Sequence, residues 1–349
     1  MPILADQVDV VIAVDAHTDS HTAALISPLG AVWGELTVPA DGHALHRLTS
    51  WVERTVDAPR RHWVIDGTRS HGVGLLRPLR KAGERVAEAP RLKRGSRRGR
   101  GKSDALDAIA IGRAVLAAPT LAEPRADGIR EALRLLLVTR RHYSDYRTAT
   151  VNLLKSLILT TDEQVRDQLR RKTTTAQVRH LLTLTVPVDS PYHIRISVER
   201  MIDLARRIAD LDKTLAQNKK ELTALVKQSC AVLLEQVGVG PVTAAALLCA
   251  WSHHGRVRDE AAFASLAGVN PIPASSGRTV RHRLNRGGDR TLNAALHTIA
   301  LVRRRVDPTT QNYVARRTTD GKSSREINRS LKRYLSRSLF RIMEATATL

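Results

Sequence analysis

The sequence predicts an α/β domain at its N-terminal end and an almost wholly helical remainder. Two observations carry this. The first ninety residues hold five apolar runs of strand length, three in succession and two separated by helical stretches. From about residue 128 onward, apolar residues recur at helical spacing instead.

Residues 8–15, VDVVIAVD, read as a buried strand that ends in an acid. HTAALIS (21–27) and AVWGELTV (31–38) read as the next two strands, joined by the Pro-Leu-Gly turn at 28–30. Asp41 opens a helical stretch with Leu45, Leu48 and Val52 on one face. RHWVID (61–66) is a fourth strand, and 70–81 is a helix presenting Leu75, Leu76 and Leu79. Gly83 ends that helix, and ERVAEA (84–89) is a fifth strand. RLKRGSRRGRGK (91–102) is a Gly- and Arg-rich loop with seven basic residues and no acids. Ser103 then caps the helix SDALDAIAIGRAVLA. The order β-β-β-α-β-α-β-α is that of an RNase H-like domain. A linker around Glu123-Pro124 ends it, which bounds a first domain at 1–122.

The remainder divides in two. Residues 123–230 read as long helices interrupted near 185–191, with a further helix over 196–229. Their spacing predicts a helical hairpin or coiled coil that separates domains and dimerises. Residues 231–349 form a third unit, in which VLLEQVGVGPVTAAALLCAW reads as two helices around a Gly-Val-Gly-Pro hairpin. From Arg303 to Glu344 there are twelve basic and four acidic residues.

Composition narrows the function classes. The 56 Lys and Arg against 34 Asp and Glu leave a net charge of +22, which repels itself unless a polyanion neutralises it. DNA or RNA is the first candidate partner, and an anionic membrane surface is the second, although no basic amphipathic anchor stands out. Aromatics are only 3% of residues, too few for a protein that stacks single-stranded bases, so phosphate contacts should dominate. No run of 18 apolar residues occurs, so no membrane span is expected. MPILADQVDVVIAVD has no basic leader, so no signal peptide is expected either. Cys230 and Cys249 lie in apolar helical surroundings and read as thiols, which fits a cytoplasmic location.

Four constellations could carry chemistry. Asp15 and Asp66 close strands one and four, which are central neighbours in the predicted order. Asp104 and Asp107 share a helix face at i, i+3, where that helix can reach the same sheet edge. Four acids at one point need cations. Two Mg²⁺ ions about 4 Å apart would neutralise them and activate a hydroxyl for attack on a phosphodiester, and Mn²⁺ would also serve. Taken singly, each acid also suits a turn or a helix N-terminus. The basic loop, with Arg94, Arg97, Arg98, Arg100 and Lys102, reads as a strand-holding segment beside the acids, although charge runs are commonly just solvated. Gly238 and Gly240 would let backbone N–H groups approach a phosphate, as in helix-hairpin-helix modules; a plain helix connection fits the same residues. Ser275-Ser276-Gly277 is followed by Arg278, Arg281, Arg283 and Arg286, which could stabilise charge at a phosphorus under attack. On spacing alone this is a Ser-Gly turn with a basic flank. His17, His21, His62 and His71 show no metal-ligand spacing, and His71 could support Asp66 from behind.

Taken together, VIAVDAHTDSHTAAL, VIDGTRSHG, GKSDALDAIAIGR and FASLAGVNPIPASSGRTVRHRLNRGGDRTLNAALH resemble the DEDD transposases of bacterial insertion sequences, relatives of the Piv-type DNA invertases. The resemblance covers both ends of the chain. It implies a RuvC-like N-terminal domain, a coiled-coil middle and a C-terminal transposase domain. It implies that Asp15, Asp66, Asp104 and Asp107 bind Mg²⁺, with Asp66 standing where the family usually has Glu. It further implies a serine nucleophile, which maps to Ser276 with Ser275 adjacent, a guiding bridge RNA, and a homo-oligomer (dimer or tetramer) whose subunits share composite sites in the bacterial cytoplasm at the nucleoid. The alternatives are a Holliday-junction-resolvase-like metal nuclease using the acids alone, and a DNA invertase without an RNA guide.

Overall fold

The computed structural model describes residues 2–90, 92, 103–185, 191–274 and 282–346. The chain divides into two compact units, Met1–Arg125 and Ala126–Leu349.

The first unit is built on a five-stranded sheet. Its strands are β1 (Val10–Ala16), β2 (Ser20–Ile26), β3 (Val32–Pro39), β4 (Arg61–Ile65) and β5 (Val86–Glu88), and its helices are α1 (Ala44–Thr55), α2 (Val73–Lys81) and α3 (Asp104–Leu116). The spatial order is β3-β2-β1-β4-β5. The first three strands form an antiparallel meander, while β4 pairs parallel to β1 and β5 parallel to β4.

Every residue of β1 is buried, because both sheet faces are covered. Side-chain alternation sorts the strand. Val10, Ile12 and Val14 join Leu48, Val52, Leu75 and Leu79 of α1 and α2 in one core. Val11 and Ala13 join Ala108, Ile111 and Val115 of α3 in another. Gly112 makes the α3 contact close: a Cβ there would stand 2.5 Å from Ile26 Cγ1 and 3.1 Å from Ala13 Cβ.

Two helices start later than their apolar spacing predicts. Asp41 accepts from the His43 N–H at 2.9 Å, and α1 begins at Ala44. The Gly67 carbonyl accepts from the N–H groups of Ser70 and Gly72, so residues 67–72 form a tight turn before α2. Gly67 has φ +61°, and a Cβ on Gly72 would stand 2.7 Å from the Asp66 carbonyl. Only glycine accommodates both demands.

Among the described residues, the second unit is helical apart from one small antiparallel strand pair. In chain order its helices are α4 (Ile129–Thr160), α5 (Glu163–Leu169), α6 (Thr174–Thr183), α7 (Tyr192–Cys230), α8 (Val232–Glu235), α9 (Pro241–Trp251) and α10 (Glu260–Leu266). The strands β6 (Ile272–Pro273) and β7 (His282–Arg283) pair antiparallel, followed by α11 (Arg290–Val306), α12 (Pro308–Thr319) and α13 (Ser324–Thr346).

The long helices α4 and α7 run antiparallel. Asn218 Nδ2 donates to the Leu136 carbonyl at 3.0 Å, Arg140 Nη1 donates to the Leu215 carbonyl at 2.9 Å, and Arg147 pairs with Asp212 further along. Helix α7 starts at Tyr192, directly after Pro191, earlier than the apolar spacing predicts. At one end of the pair, Leu154 and Ile158 pack with Leu169, Leu181 and Met201. At the other end, Leu133, Leu222, Val226 and Cys230 enter the core of α8–α13. Cys230 is buried and Cys249 partly so, and both are free thiols. No helix among the described residues is long and apolar enough to cross a membrane.

Candidate functional site

The parity of β1 puts Asp15 in line with Val11 and Ala13, on the face covered by α3. Asp15 is 5% exposed, which is rare for a carboxylate. Asp66 directly follows β4, and its N–H donates to the Val14 carbonyl at 2.9 Å, which extends the parallel ladder to the residue before Asp15. Asp66 Oδ1 accepts from the Gly67 N–H at 2.8 Å, so the glycine turn orients that carboxylate. Asp104 and Asp107 occupy the first turn of α3, whose N-cap Ser103 accepts from the Leu106 N–H at 3.3 Å.

His17 joins two of these elements. Its Nε2 lies 3.2 Å from Asp15 Oδ2 and 3.5 Å from Asp104 Oδ1. One atom from each of Asp15, His17 and Asp104 falls within 4.8 Å of the others, a spread that one metal ion could span. Burial pushes the Asp15 carboxyl above the usual carboxylate range. His17 opposes this, while the charges of Asp107 and Asp66 raise it further. Both acids therefore act electrostatically on Asp15. Thr18 Oγ1 is 3.4 Å from His71 Nδ1 on the exposed rim.

The sequence points to the four acids as candidates and sets His17 aside for lack of metal-ligand spacing, whereas the structure brings His17 to Asp15 and Asp104. The available signal was the Asp-x-His spacing at the end of a buried strand. His17 is exposed and follows the strand, so no periodicity marks it. Arg94, Arg97, Arg98, Arg100 and Lys102 lie outside the described residues, as do Ser275, Ser276, Arg278 and Arg281. Arg283 and Arg286 are exposed, Arg283 on β7 and Arg286 in the loop that follows.

Gly238, at φ +82°, packs against α11. A Cβ there would stand 3.0 Å from the Ile299 carbonyl, and Arg303 Nε donates to the neighbouring Val237 carbonyl at 2.8 Å. Gly240 has open space at its Cβ position, and its N–H donates to Thr243 Oγ1 at 2.9 Å.

Comparison with known proteins decides the family. Residues 12–162, which contain all four acids, match a family model described as a transposase, of the DEDD type of the IS110 group. Residues 230–315 match the model of the transposase IS116/IS110/IS902 family. The chain belongs to the DEDD transposases of insertion sequences. It is also similar to an insertion element IS900 uncharacterized 42 kDa protein of Mycobacterium paratuberculosis, 26% identical over 360 aligned positions that cover 88% of this chain and 89% of that protein. A transposase of this family is an enzyme that cuts and rejoins DNA in transposition, so DNA is a partner of this chain. In the transposase, the acid cluster falls inside the first matched region, and the hairpin of β6 and β7 falls inside the second.

Proposed function

We propose that this transposase cleaves and rejoins double-stranded DNA with two sets of groups, a carboxylate metal site and a serine nucleophile. The N-terminal unit is read as an RNase H-like, RuvC-like domain over residues 1–122. Residues 123–230 are read as a coiled-coil spacer that pairs subunits of a homo-oligomer, and residues 231–349 as the domain that carries the serine.

The observation that carries this reading is the convergence of Asp15, His17 and Asp104 within 4.8 Å, with Asp66 and Asp107 repelling Asp15. The carboxylate oxygens form a donor set that suits Mg²⁺ or Mn²⁺. Asp15, Asp66, Asp104 and Asp107 would hold the ions. Bound there, divalent ions neutralise charge developing on a phosphodiester and favour ionisation of a hydroxyl. The chain's own part is to hold Asp15 rigidly on a central strand, orient Asp66 by the Gly67 N–H, and place Asp104 and Asp107 by docking α3 through Gly112.

Ser276 is read as the nucleophile, with Ser275 beside it. Its oxygen forms a bond to phosphorus as the bond from phosphorus to a deoxyribose oxygen breaks, and the serine proton passes to the departing oxygen. The phosphoserine linkage keeps the bond energy, so a strand hydroxyl can reverse the step without ATP. Arg278, Arg281, Arg283 and Arg286 would stabilise the charge on the phosphorus oxygens. Arg94, Arg97, Arg98, Arg100 and Lys102 would hold phosphates, while the Gly240 N–H is already engaged by Thr243 Oγ1 and Gly238 packs on α11, which suits a plain helix connection at 238–240. A bridge RNA would choose sequence by base pairing, consistent with a basic chain poor in aromatics.

The test is a Ser275→Ala, Ser276→Ala double variant, assayed for strand exchange and for a covalent protein–DNA adduct. Loss of both with DNA binding retained is expected. Cleavage that continues without an adduct would instead assign a resolvase-like nuclease that uses the acids alone.

A further inference from the structure

The C-terminal half of the transposase contains a second concentration of charge, separate from the acid cluster. An open cleft of about 610 Å³ lies between the β6–β7 stem and helices α12 and α13. Arg283, Arg317, Lys322, Arg329, Lys332 and Arg333 line it, against one lining carboxylate, Glu326. Glu326 is already engaged, accepting from the Ser323 N–H at 2.9 Å and the Ser323 hydroxyl at 2.7 Å as part of the α13 start. Arg317 is paired with Asp320 at 2.9 Å.

Lys332 is the unusual member. It is 9% exposed and is one of the residues that line the cleft. Its Nζ donates to Asn293 Oδ1 at 3.0 Å, and no carboxylate within salt-bridge distance is found among the described residues. The Asn293 amide is fixed in this sense because its Nδ2 donates to the Ala267 carbonyl at 2.7 Å. A lysine has three donors, and burying its charge without an anion is costly. Burial lowers its pKa, and the nearby Arg329 charge lowers it further. Next to it, Arg333 Nη1 is buried with no hydrogen-bond partner among the described residues. The opposite wall is rigid: Asn285 Nδ2 donates to Asn270 Oδ1 at 2.7 Å, and a Cβ on Gly268 would meet the Gly287 carbonyl at 2.4 Å.

We propose that this cleft is a phosphodiester-binding site, in which Lys332 and Arg333 contact the backbone of the DNA substrate. The unpaired donors, the excess of cations and the opening to solvent all suit a tetrahedral anion on a strand. DNA is the occupant because it is the transposase's substrate. The inference rests on that family activity and not on the metal or serine assignments. The cleft's members are spread over some fifty residues of sequence, from Arg283 to Arg333, so no local motif announces it.

The test measures equilibrium binding of the full chain to a double-stranded DNA oligonucleotide without divalent ions, over a range of salt. Leaving out the ions removes the metal and serine chemistry from the readout. Lys332→Met and Arg333→Gln are each expected to weaken binding by about tenfold at physiological salt. Each should also make the slope of log K against log salt shallower by about one. The thermal transition of Lys332→Met should be unchanged or higher, since a buried unpaired charge is removed. If Lys332→Met does not fold, Arg333→Gln decides. Wild-type affinity and slope in the folded variants would overturn the proposal. A loss seen with duplex RNA and not with DNA would overturn the choice of DNA.

Discussion

The N–H of Asp66 donates to the Val14 carbonyl at 2.9 Å, and this one backbone bond puts Asp66 beside Asp15 at the ends of two parallel strands. The pair depends on ladder geometry, not on side-chain contact, so side-chain substitutions there should leave the fold intact. Asp66→Asn is expected to lower DNA cleavage by about 100-fold or more, the size of a lost metal interaction of several kcal/mol. Asp66→Glu, which keeps the carboxylate and installs the residue that the family resemblance implies, should keep most activity. Single-turnover cleavage assays with matched circular dichroism spectra separate the two cases.

Asp15 is buried among like charges, with the His17 imidazole Nε2 3.2 Å from its Oδ2. Asp15→Asn keeps its shape and removes the charge. In chelator-treated protein the variant should melt at a higher temperature than wild type, because a strained buried charge is gone. Its cleavage activity should nevertheless be lost. A lower melting temperature would mean that Asp15 serves the fold more than the site.

Gly112 determines how closely α3 approaches the sheet. Gly112→Ala would drive a Cβ to 2.5 Å from Ile26 Cγ1, well inside contact distance. Overpacking of this kind costs about 1–3 kcal/mol. Denaturant unfolding should show that loss. Activity should fall further than stability does, since the helix carrying Asp104 and Asp107 must shift outward.

Asp307 links α11 to α12. Its carboxylate accepts from the Thr310 N–H at 3.2 Å and from the Thr310 hydroxyl, and that hydroxyl bond is the main cause of its lowered pKa. An acid with a depressed folded pKa contributes stability above its unfolded value, near 3.8, and loses it as pH falls through the folded value. Asp307→Ala should therefore cost about 1 kcal/mol at neutral pH. The difference from wild type should shrink below about pH 4. Thermal melts across pH 3–7 check this.

Much of the N-terminal unit was readable because its signals are local. Strand-length apolar runs, turn residues and the Ser103 cap each act over a few positions, and they gave the β1–β4 adjacency that brings Asp15 and Asp66 together. The start of α2 was misjudged because the Gly67–Gly72 turn keeps Ser70 out of the helix despite good apolar spacing beyond it. His17 was set aside as a ligand because its partner Asp104 lies 87 positions away, and only the docking of α3 joins them. The role of Gly112 was hidden for the same reason. Lys332 looked like one more cation in a basic stretch, and its burial depends on packing against Asn293 on another helix.

The central claim is that the four acids form a divalent metal site. The most direct measurement is Mn²⁺ uptake by the full chain, followed by electron paramagnetic resonance titration without DNA, for wild type and for the Asp104→Asn, Asp107→Asn double variant. Wild type is expected to bind Mn²⁺ in competition with Mg²⁺, and the folded double variant to bind at least about tenfold more weakly. Equal uptake by the two proteins would contradict the claim.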